Sequence, residues 1–414
     1  MTLSEELRAR GFIHQCSSES LELVLDNETR TVYHGIDPTA DSAHAGNFVN
    51  WVLLRHLVNH GHKVIFLVGG GTGRIGDPKP DAERELVSTE VIDERVTKLK
   101  AQAKHLLGTT EVVFVNNQDW LGSLNLIDFL RDIGKHFTVN ELIKKDAIAN
   151  RLSSEVGLSY TEFAYPLLQA FDYLQLYRQH NCTLQVGGSD QWGNIVAGVD
   201  LVRRLEQTEV FALTQPLVTD KATGKKFGKS EGNAVWLDAE KTSPYTFYQF
   251  WLNTSDDSVI EYLKRFTFIS LAEIAEIEKA FLENPGSRSA QKHLAEAVTT
   301  FVHGETVAKS VIAASEILFG ERNITELSAD SVTVLLENAP THDIAGGESI
   351  IDVLVASGLA TSKREARTFI ESGAVTLDDK KITDTEAALT SDVLANPHTL
   401  LRRGKKQYVI LVQK

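Results

Sequence analysis

Four short stretches of the chain carry residue types in spacings that could do chemistry. His44-Ala45-Gly46-Asn47 stands a few residues after a strand-like run, where a helix begins. A helix N-terminus offers unpaired backbone N–H groups and the positive end of a dipole, both suited to phosphate. Gly46 would let a nucleotide approach the backbone closely, and His44 could donate to phosphate oxygens. The second stretch is Lys225-Lys226-Phe227-Gly228-Lys229-Ser230. It reads either as a solvated turn or as a glycine-hinged loop that sets the ammonium groups of Lys226 and Lys229, with Ser230 beside them, on a triphosphate as charge builds on its leaving group. In the third, Tyr165, Gln169 and Asp172 recur at i, i+4 and i+7 and so share one helix face. Their polar stripe runs between Phe163, Leu167, Leu168, Phe171 and Leu174, which suggests a pocket wall rather than a wet surface. The fourth, Gly187-Gly188-Ser189-Asp190-Gln191-Trp192-Gly193-Asn194, joins glycines that admit a ligand to Asp190 and Gln191, which can hydrogen-bond it.

These groups need elements that bring them together. Thr31-Val32-Tyr33 is a β-type run leading into Gly35-Ile36-Asp37-Pro38-Thr39. Phe48, Val49, Val52, Leu53 and Leu57 then repeat at helical spacing from about Gly46 to Asn59. Residues 63–68 read as a buried parallel strand ending in Gly69-Gly70-Gly71-Thr72-Gly73, and helical material from about Ser88 to Leu107 precedes a further strand over 112–115. Strand–helix–strand–helix–strand predicts an α/β fold with a doubly wound parallel sheet, whose ligands gather at the carboxyl ends of the strands. A helical region follows, with periodicity over 258–265, 271–283 and 289–317 and a break at Asn284-Pro285-Gly286. An irregular stretch connects to a small terminal module, where Ser362 and Glu365 form a capping-box pattern, Gly373 is a helix stop, and residues 375–377 and 408–412 read as strands. The expected domains are 1–235, 236–322, a linker over 323–348, and 349–414.

Composition bounds the function. The 414 residues carry a formal net charge of −14, which argues against indiscriminate coating of nucleic acid but leaves room for a local basic surface. From Ser349 onward, ten Lys+Arg stand against eight Asp+Glu, so the terminal module is net +2 and the remainder −16. The N-terminal residues lack the apolar run of a signal peptide, and no stretch is apolar enough to span a bilayer. Two distant cysteines, Cys16 and Cys182, make neither a disulfide framework nor a zinc site. A reducing compartment, the cytoplasm, is expected, with no protein-bound zinc and no membrane partner.

The His44-Ala45-Gly46-Asn47 and Lys225–Ser230 stretches together resemble the paired HIGH and KMSKS signatures of class I aminoacyl-tRNA synthetases, the second in the KFGKS form common in tyrosine enzymes. With Tyr33-x-Gly35-x-Asp37-Pro38-Thr39, Gly76-Asp77-Pro78 and the blocks around Tyr165 and Asp190, nearly the whole chain resembles the bacterial-type tyrosyl-tRNA synthetase family. Its last module resembles an S4 RNA-binding domain. The resemblance implies a Rossmann-type catalytic domain over 1–235, a helical anticodon-region domain and an α+β S4-like domain. It implies L-tyrosine, ATP, Mg²⁺ carried with the ATP, and tRNA(Tyr) as the substrates. By the same resemblance, Tyr33 and Asp172 bind the substrate phenol. Asp77, Tyr165 and Gln169 hold its ammonium, and Gln191 lies near its carboxylate. Gly35, Gly188 and Asp190 line the ATP ribose and adenosine, and Asp37 and Gly46 belong to the same ATP site. Thr39 and His44 touch the γ-phosphate, Asn47 can hydrogen-bond a ribose or a phosphate, and Lys226, Lys229 and Ser230 meet the pyrophosphate. Lys363, Arg364, Arg367, Arg402, Arg403, Lys405 and Lys406 are tRNA candidates, and a homodimer through an insertion at about 124–150 is implied. The chain departs from the family at three places. Asn47 replaces the last histidine of HIGH. His34 stands where many relatives carry cysteine, which raises the prospect of pH-dependent ATP affinity. A lysine expected near Asp81 is absent, with Lys79 or Arg84 as substitutes. Two competing functions are a tryptophan-charging relative, disfavoured because indole has no hydroxyl for Tyr33 and Asp172, and a non-catalytic RNA-binding protein.

Overall fold

The computed structural model describes residues 1–78, 87–108, 110–153, 157–219, 234–319, 324–390, 394, 396–404 and 407–414. By packing they form two units. One holds Met1–Thr242 with Asn253–Ala297, the other Ser243–Leu252 with Val298–Lys414.

The first unit is built on six strands, β1 (Gln15–Cys16), β2 (Thr31–Ile36), β3 (Lys63–Val68), β4 (Val112–Asn116), β5 (Cys182–Gly188) and β6 (Phe211–Gln215), in the order β1-β6-β5-β2-β3-β4. Five are parallel, and only the two-residue β1 runs against its neighbour β6. β3 buries five of its six residues, as a strand covered on both faces must. Period-two alternation sorts them. Ile65 and Leu67 join Tyr33, Phe171, Leu174 and Leu201 in one core, against the helices Tyr160–His180 and Trp192–Glu206. Phe66 points the other way and meets Trp51 of the helix Ala45–Asn59 edge-on at 5.3 Å. From β2 the chain winds outward through β3 and β4, then returns to place β5 and β6 on the opposite side. The winding direction therefore reverses between β2 and β5, and a crevice opens at their carboxyl ends.

The segment 124–150 folds as short helices, Leu126–Asp132, Val139–Leu142 and Asp146–Leu152. Phe129 and Ile133 are core residues, Phe129 packing edge-on against Phe171 at 5.8 Å. Leu126, Ile127, Leu130, Val139 and Ile143 of the same segment are exposed. The helices Asp256–Phe266 and Leu271–Glu283 match their expected periodicity. The pattern over 289–317 is not one helix: Gly304, at φ +88°, ends Ser289–His303 and a new helix runs from Glu305 to Phe319.

The second unit carries a five-stranded sheet. With β7 (Thr341–Ile344), β8 (Glu348–Ser349), β9 (Val375–Leu377), β10 (Lys380–Lys381), β11 (Ala388–Leu389), β12 (His398–Arg403) and β13 (Gln407–Gln413), its order is β10-β9-β12-β13-β7, while β8 and β11 pair separately. The stretch 323–348, expected to be an irregular linker, contains the helix Ala329–Asn338 and strand β7, which pairs with β13 in parallel. Alternation explains why it was unreadable: β7 buries only Ile344 of four residues, so no apolar pattern marks it.

Candidate active site

The crevice at the ends of β2 and β5 is a cavity of about 330 Å³, within the size range of small-ligand sites. Gly35, Asp37, Thr39, His44, Gly46, Asn47, Asp77, Tyr165, Gln169, Gly188, Asp190 and Gln191 all line it. Residues spread over more than 150 positions thus converge because β2, β5, the Ala45–Asn59 helix and the Tyr160–His180 helix end or open at one place. Lys226, Lys229 and Ser230, like Lys79 and Arg84, lie outside the described residues. The flanks of 220–233 are placed, however. Val218 lines the cavity, and the backbone of Val235 and Leu237 is bonded to Ala45 and Ala43, on either side of the cavity-lining His44.

His44 caps the Ala45–Asn59 helix: its Nδ1 accepts from the Gly46 amide at 3.0 Å, and Asn47 Oδ1 accepts from the His44 amide at 3.2 Å. The cap sets both side chains. An accepting Nδ1 puts the neutral ring's proton on Nε2, the donor form, and an occupied Oδ1 leaves Asn47 its amide donor. The motif therefore caps and offers donors at once. His34 is buried and directs Nδ1 at the Val186 carbonyl, 3.2 Å away. Burial drives its pKa down to about 4, so it is neutral near pH 7 and gives no reason for pH-dependent nucleotide affinity there.

Tyr33 and Asp172 do not line the open cavity; they lie deeper, both almost fully buried. Among the described residues the Tyr33 hydroxyl has no well-formed hydrogen bond, and its interaction with the cavity-lining Gln185 falls short of bonding geometry. Burial, and next the nearby Asp172 charge, push this phenol well above its ordinary range. Asp172 accepts from Asn117 Nδ2 at 2.9 Å and Trp120 Nε1 at 2.7 Å. Burial raises its carboxyl to about 7, against the pull of those two donors. The network continues outward. Asn117 Nδ2 also reaches Thr72 Oγ1 at 2.9 Å, Thr72 donates to Asp37 Oδ1 at 2.7 Å, and Tyr165 donates to Asp37 Oδ2 at 2.8 Å. Asp77 accepts from Gln191 at 2.9 Å and Asn194 at 3.2 Å. Gln169 Oε1 is buried without a partner among the described residues.

The glycine turn after β3 makes this network possible. A Cβ on Gly69 would stand 2.1 Å from Asp37 Oδ1, and one on Gly70 2.3 Å from Asn116 Oδ1. Sequence reasoning missed Asn117 and Trp120, although their position just past β4, at the carboxyl edge of the sheet, was a usable signal. It also missed Lys145, whose ammonium donates to the Gly193 carbonyl and is lowered to about 8 by burial, with Asp200 and Asp77 opposing.

In the second unit Arg402 corrects the expectation that it meets tRNA. It is buried, and its guanidinium bonds the Leu318 carbonyl at 3.0 Å and that of Ile317, filling the open acceptors at the end of the Glu305–Phe319 helix. Arg403 lies over the Phe369 ring at 4.5 Å. Lys363, Arg364 and Arg367 are exposed, with Lys363 paired to Asp352 at 2.6 Å. Lys405 and Lys406 lie outside the described residues.

The architecture is that of a nucleotide-using enzyme, and sequence comparison says which. The chain matches the model of class I tRNA synthetases (W and Y) over residues 25–320 and belongs to that family. Residues 331–411 match the C-terminal domain of SYY-like tyrosine–tRNA ligases. The chain is 47% identical over 416 residues to tyrosine–tRNA ligase 2 of Enterococcus faecalis, covering 98% of each. It is 49% identical over 417 residues to the tyrosine–tRNA ligase of Laribacter hongkongensis, covering 99% of this chain and 98% of that one. A C-terminally truncated mitochondrial tyrosyl-tRNA synthetase of Aspergillus nidulans superposes with a TM-score of 0.69 at 31% identity, covering 77% of this chain and 94% of that one. Within the family, the activity of this chain is that of a tyrosine–tRNA ligase.

Proposed function

We propose that tyrosine lies with its phenol between Tyr33 and Asp172 and its carboxylate toward the cavity, where ATP binds. The observation that supports this most strongly is the pairing of an unbonded buried hydroxyl with a buried carboxylate held by two donors. A phenol hydroxyl can donate to Asp172 and accept from Tyr33; phenylalanine would leave the Tyr33 hydroxyl unpaired and bring Asp172 no donor beyond Asn117 and Trp120, and the hydroxyl-free indole of tryptophan serves them poorly. Asp77 and Gln169, with Tyr165, receive the ammonium, and Gln191 orients the carboxylate end. Gly35, Asp37, Gly188 and Asp190 take the nucleoside.

No general base is required, because the tyrosine carboxylate is already an anion. It attacks the α-phosphorus, the α–β bridging bond breaks, and pyrophosphate leaves with the electron pair. A terminal ribose hydroxyl of tRNA then attacks the mixed anhydride and releases AMP. Catalysis rests on positioning and on donors aimed where charge develops: His44, Asn47 and Thr39 at the phosphates, joined by Lys226, Lys229 and Ser230 on sequence grounds. Mg²⁺ enters with the ATP as part of the substrate. Pyrophosphate exchange run with each of the twenty amino acids tests this assignment. Only tyrosine should support it, and exchange with tryptophan instead would overturn it.

The exposed apolar residues Leu126, Ile127, Leu130, Val139 and Ile143 support a homodimer through 124–150, since exposed large apolar side chains gathered in one segment gain by being covered. A monomer by light scattering at micromolar concentration would sink that reading. Lys363, Arg364 and Arg367, with Arg403, Lys405 and Lys406, remain the proposed tRNA contacts. The cytoplasm is the proposed compartment; among the described residues no helix is long and apolar enough to cross a membrane.

A further inference from the structure

Strand β6 ends in Gln215, whose side chain is almost fully buried between two helices of the first unit. Its Nε2 donates to Oδ1 of Asn50, on the Ala45–Asn59 helix, and its Oε1 accepts from Arg265 Nη2 at 3.4 Å, on the Asp256–Phe266 helix. Arg265 is also buried, and the same Nη2 donates to the Pro216 carbonyl at 2.6 Å. Four residues earlier in its helix Glu261 lies 3.5 Å from Nη1.

The polarity of this chain of bonds is dictated from one end. A guanidinium has donors only, so the face of Gln215 turned toward Arg265 must be its oxygen. The Gln215 amide nitrogen is then forced toward Asn50, and the Asn50 oxygen toward Gln215. What remains to Asn50 is its Nδ2, which has no partner among the described residues. Asn50 lines the cavity, one helical turn beyond Gly46 and Asn47 on the same face. The arginine also steadies the segment after Gln215. With Pro216 held by Arg265, Leu217 and Val218 line the cavity, and the Thr219 carbonyl accepts from the Tyr262 hydroxyl at 3.3 Å.

We propose that Arg265 and Gln215 are positioning residues for the ATP-binding half of the site: together they hold Asn50 so that an N–H donor, never the carbonyl oxygen, faces the acceptor-rich nucleotide. This deepens the ligase reading and rests on it. A nucleoside triphosphate presents oxygen acceptors along most of its length, so a cavity position locked as a donor favours it, whereas an amide free to flip would spend part of its time repelling it. Gln215 acts only through Asn50, which makes the relay separable from mere packing.

The test is tyrosine-dependent pyrophosphate exchange by the full chain, with KM measured separately for ATP and for tyrosine. Asn50→Ala removes the donor and should raise the ATP KM about fivefold, the effect of one hydrogen bond. Gln215→Glu keeps an acceptor for Arg265 but offers Asn50 no donor, so the Asn50 amide turns over, and a similar rise is expected. Tyrosine KM should stay within about twofold in both. The double variant should be no worse than the poorer single one, because both changes break one path. Gln215→Met, neutral and of similar length, repeats the test without an added charge, and thermal unfolding confirms that each variant folds. An unchanged ATP KM in Asn50→Ala overturns the relay. So do additive effects in the double variant, which would mean that the new carboxylate repels ATP directly, and so does an equal rise in tyrosine KM. If the unmodified chain exchanges no pyrophosphate with tyrosine, the ligase reading itself falls; if it does and the variants match it, only the relay falls.

Discussion

At the scale of single residues, Asp172 carries the sharpest consequence. Burial raises its carboxyl to about 7, even though Asn117 and Trp120 both donate to it. The phenol of tyrosine donates to the ionised form, so binding requires the proton to leave. Affinity for tyrosine should therefore strengthen as pH rises through 7, with the dissociation constant falling about tenfold from pH 6 to pH 8. The sign for stability is opposite. The folded pKa lies above the unfolded one, so the ligand-free protein binds the extra proton when folded and loses stability as pH climbs from about 4 to about 7, with no further loss above. Calorimetric titration of tyrosine across this range checks the first statement. A flat profile in the unmodified protein would contradict it. Trp120→Phe removes one of the two donors and should move the midpoint upward.

At the scale of elements, the helix Tyr160–His180 bears the tyrosine-facing stripe, and its start is fixed by a buried ion pair. Arg151 meets Glu162 through both carboxylate oxygens, at 3.2 and 3.0 Å, with both side chains almost fully buried. Arg151 also donates to the Gly157 carbonyl at 2.7 Å. Glu162 precedes Tyr165 by one turn, so whatever loosens the pair moves the stripe. Glu162→Ala removes the two-point carboxylate partner of a buried guanidinium and should destabilise the protein by about 3 kcal/mol in urea unfolding. Tyrosine KM should rise more than ATP KM, because the ATP-side donors sit on a different helix. A loss below 1 kcal/mol, with kinetics intact, would show that the pair is not what anchors the helix.

At the scale of the whole molecule, the two units predict separable failures. The cavity is made entirely of residues from the first unit. Removing everything after Ser349 should leave tyrosine-dependent exchange intact and abolish tRNA charging. It should do more than remove an RNA-binding surface. Ile317, Leu318 and Leu335 pack with Leu400 and Ile410, and β7 pairs only with β13 in its sheet. The truncated chain should therefore expose apolar surface, seen as dye binding by the shortened protein and its absence in the full chain. Undiminished charging would refute the assignment of tRNA contacts to this region.

The reactive residue types and the strand–helix frame that carries them were legible in the order of amino acids alone. The β-type runs, the glycine turns and the i, i+4, i+7 stripe are local patterns, and local patterns survive being read one residue at a time. Twelve of the expected ligand residues line one cavity: helical spacing put Tyr165 and Gln169 on one face, whereas Gly35, Thr39 and Asp77 were expected only from the family resemblance. The partners of those residues came from the folded arrangement. That Asp172 is held by Asn117 and Trp120, or that Arg402 closes a helix end 84 residues earlier in the chain, depends on contacts between distant segments. A basic residue beside other basic residues looks the same in sequence whether its guanidinium faces solvent or a row of carbonyls. Burial makes that choice, and burial belongs to the assembled fold.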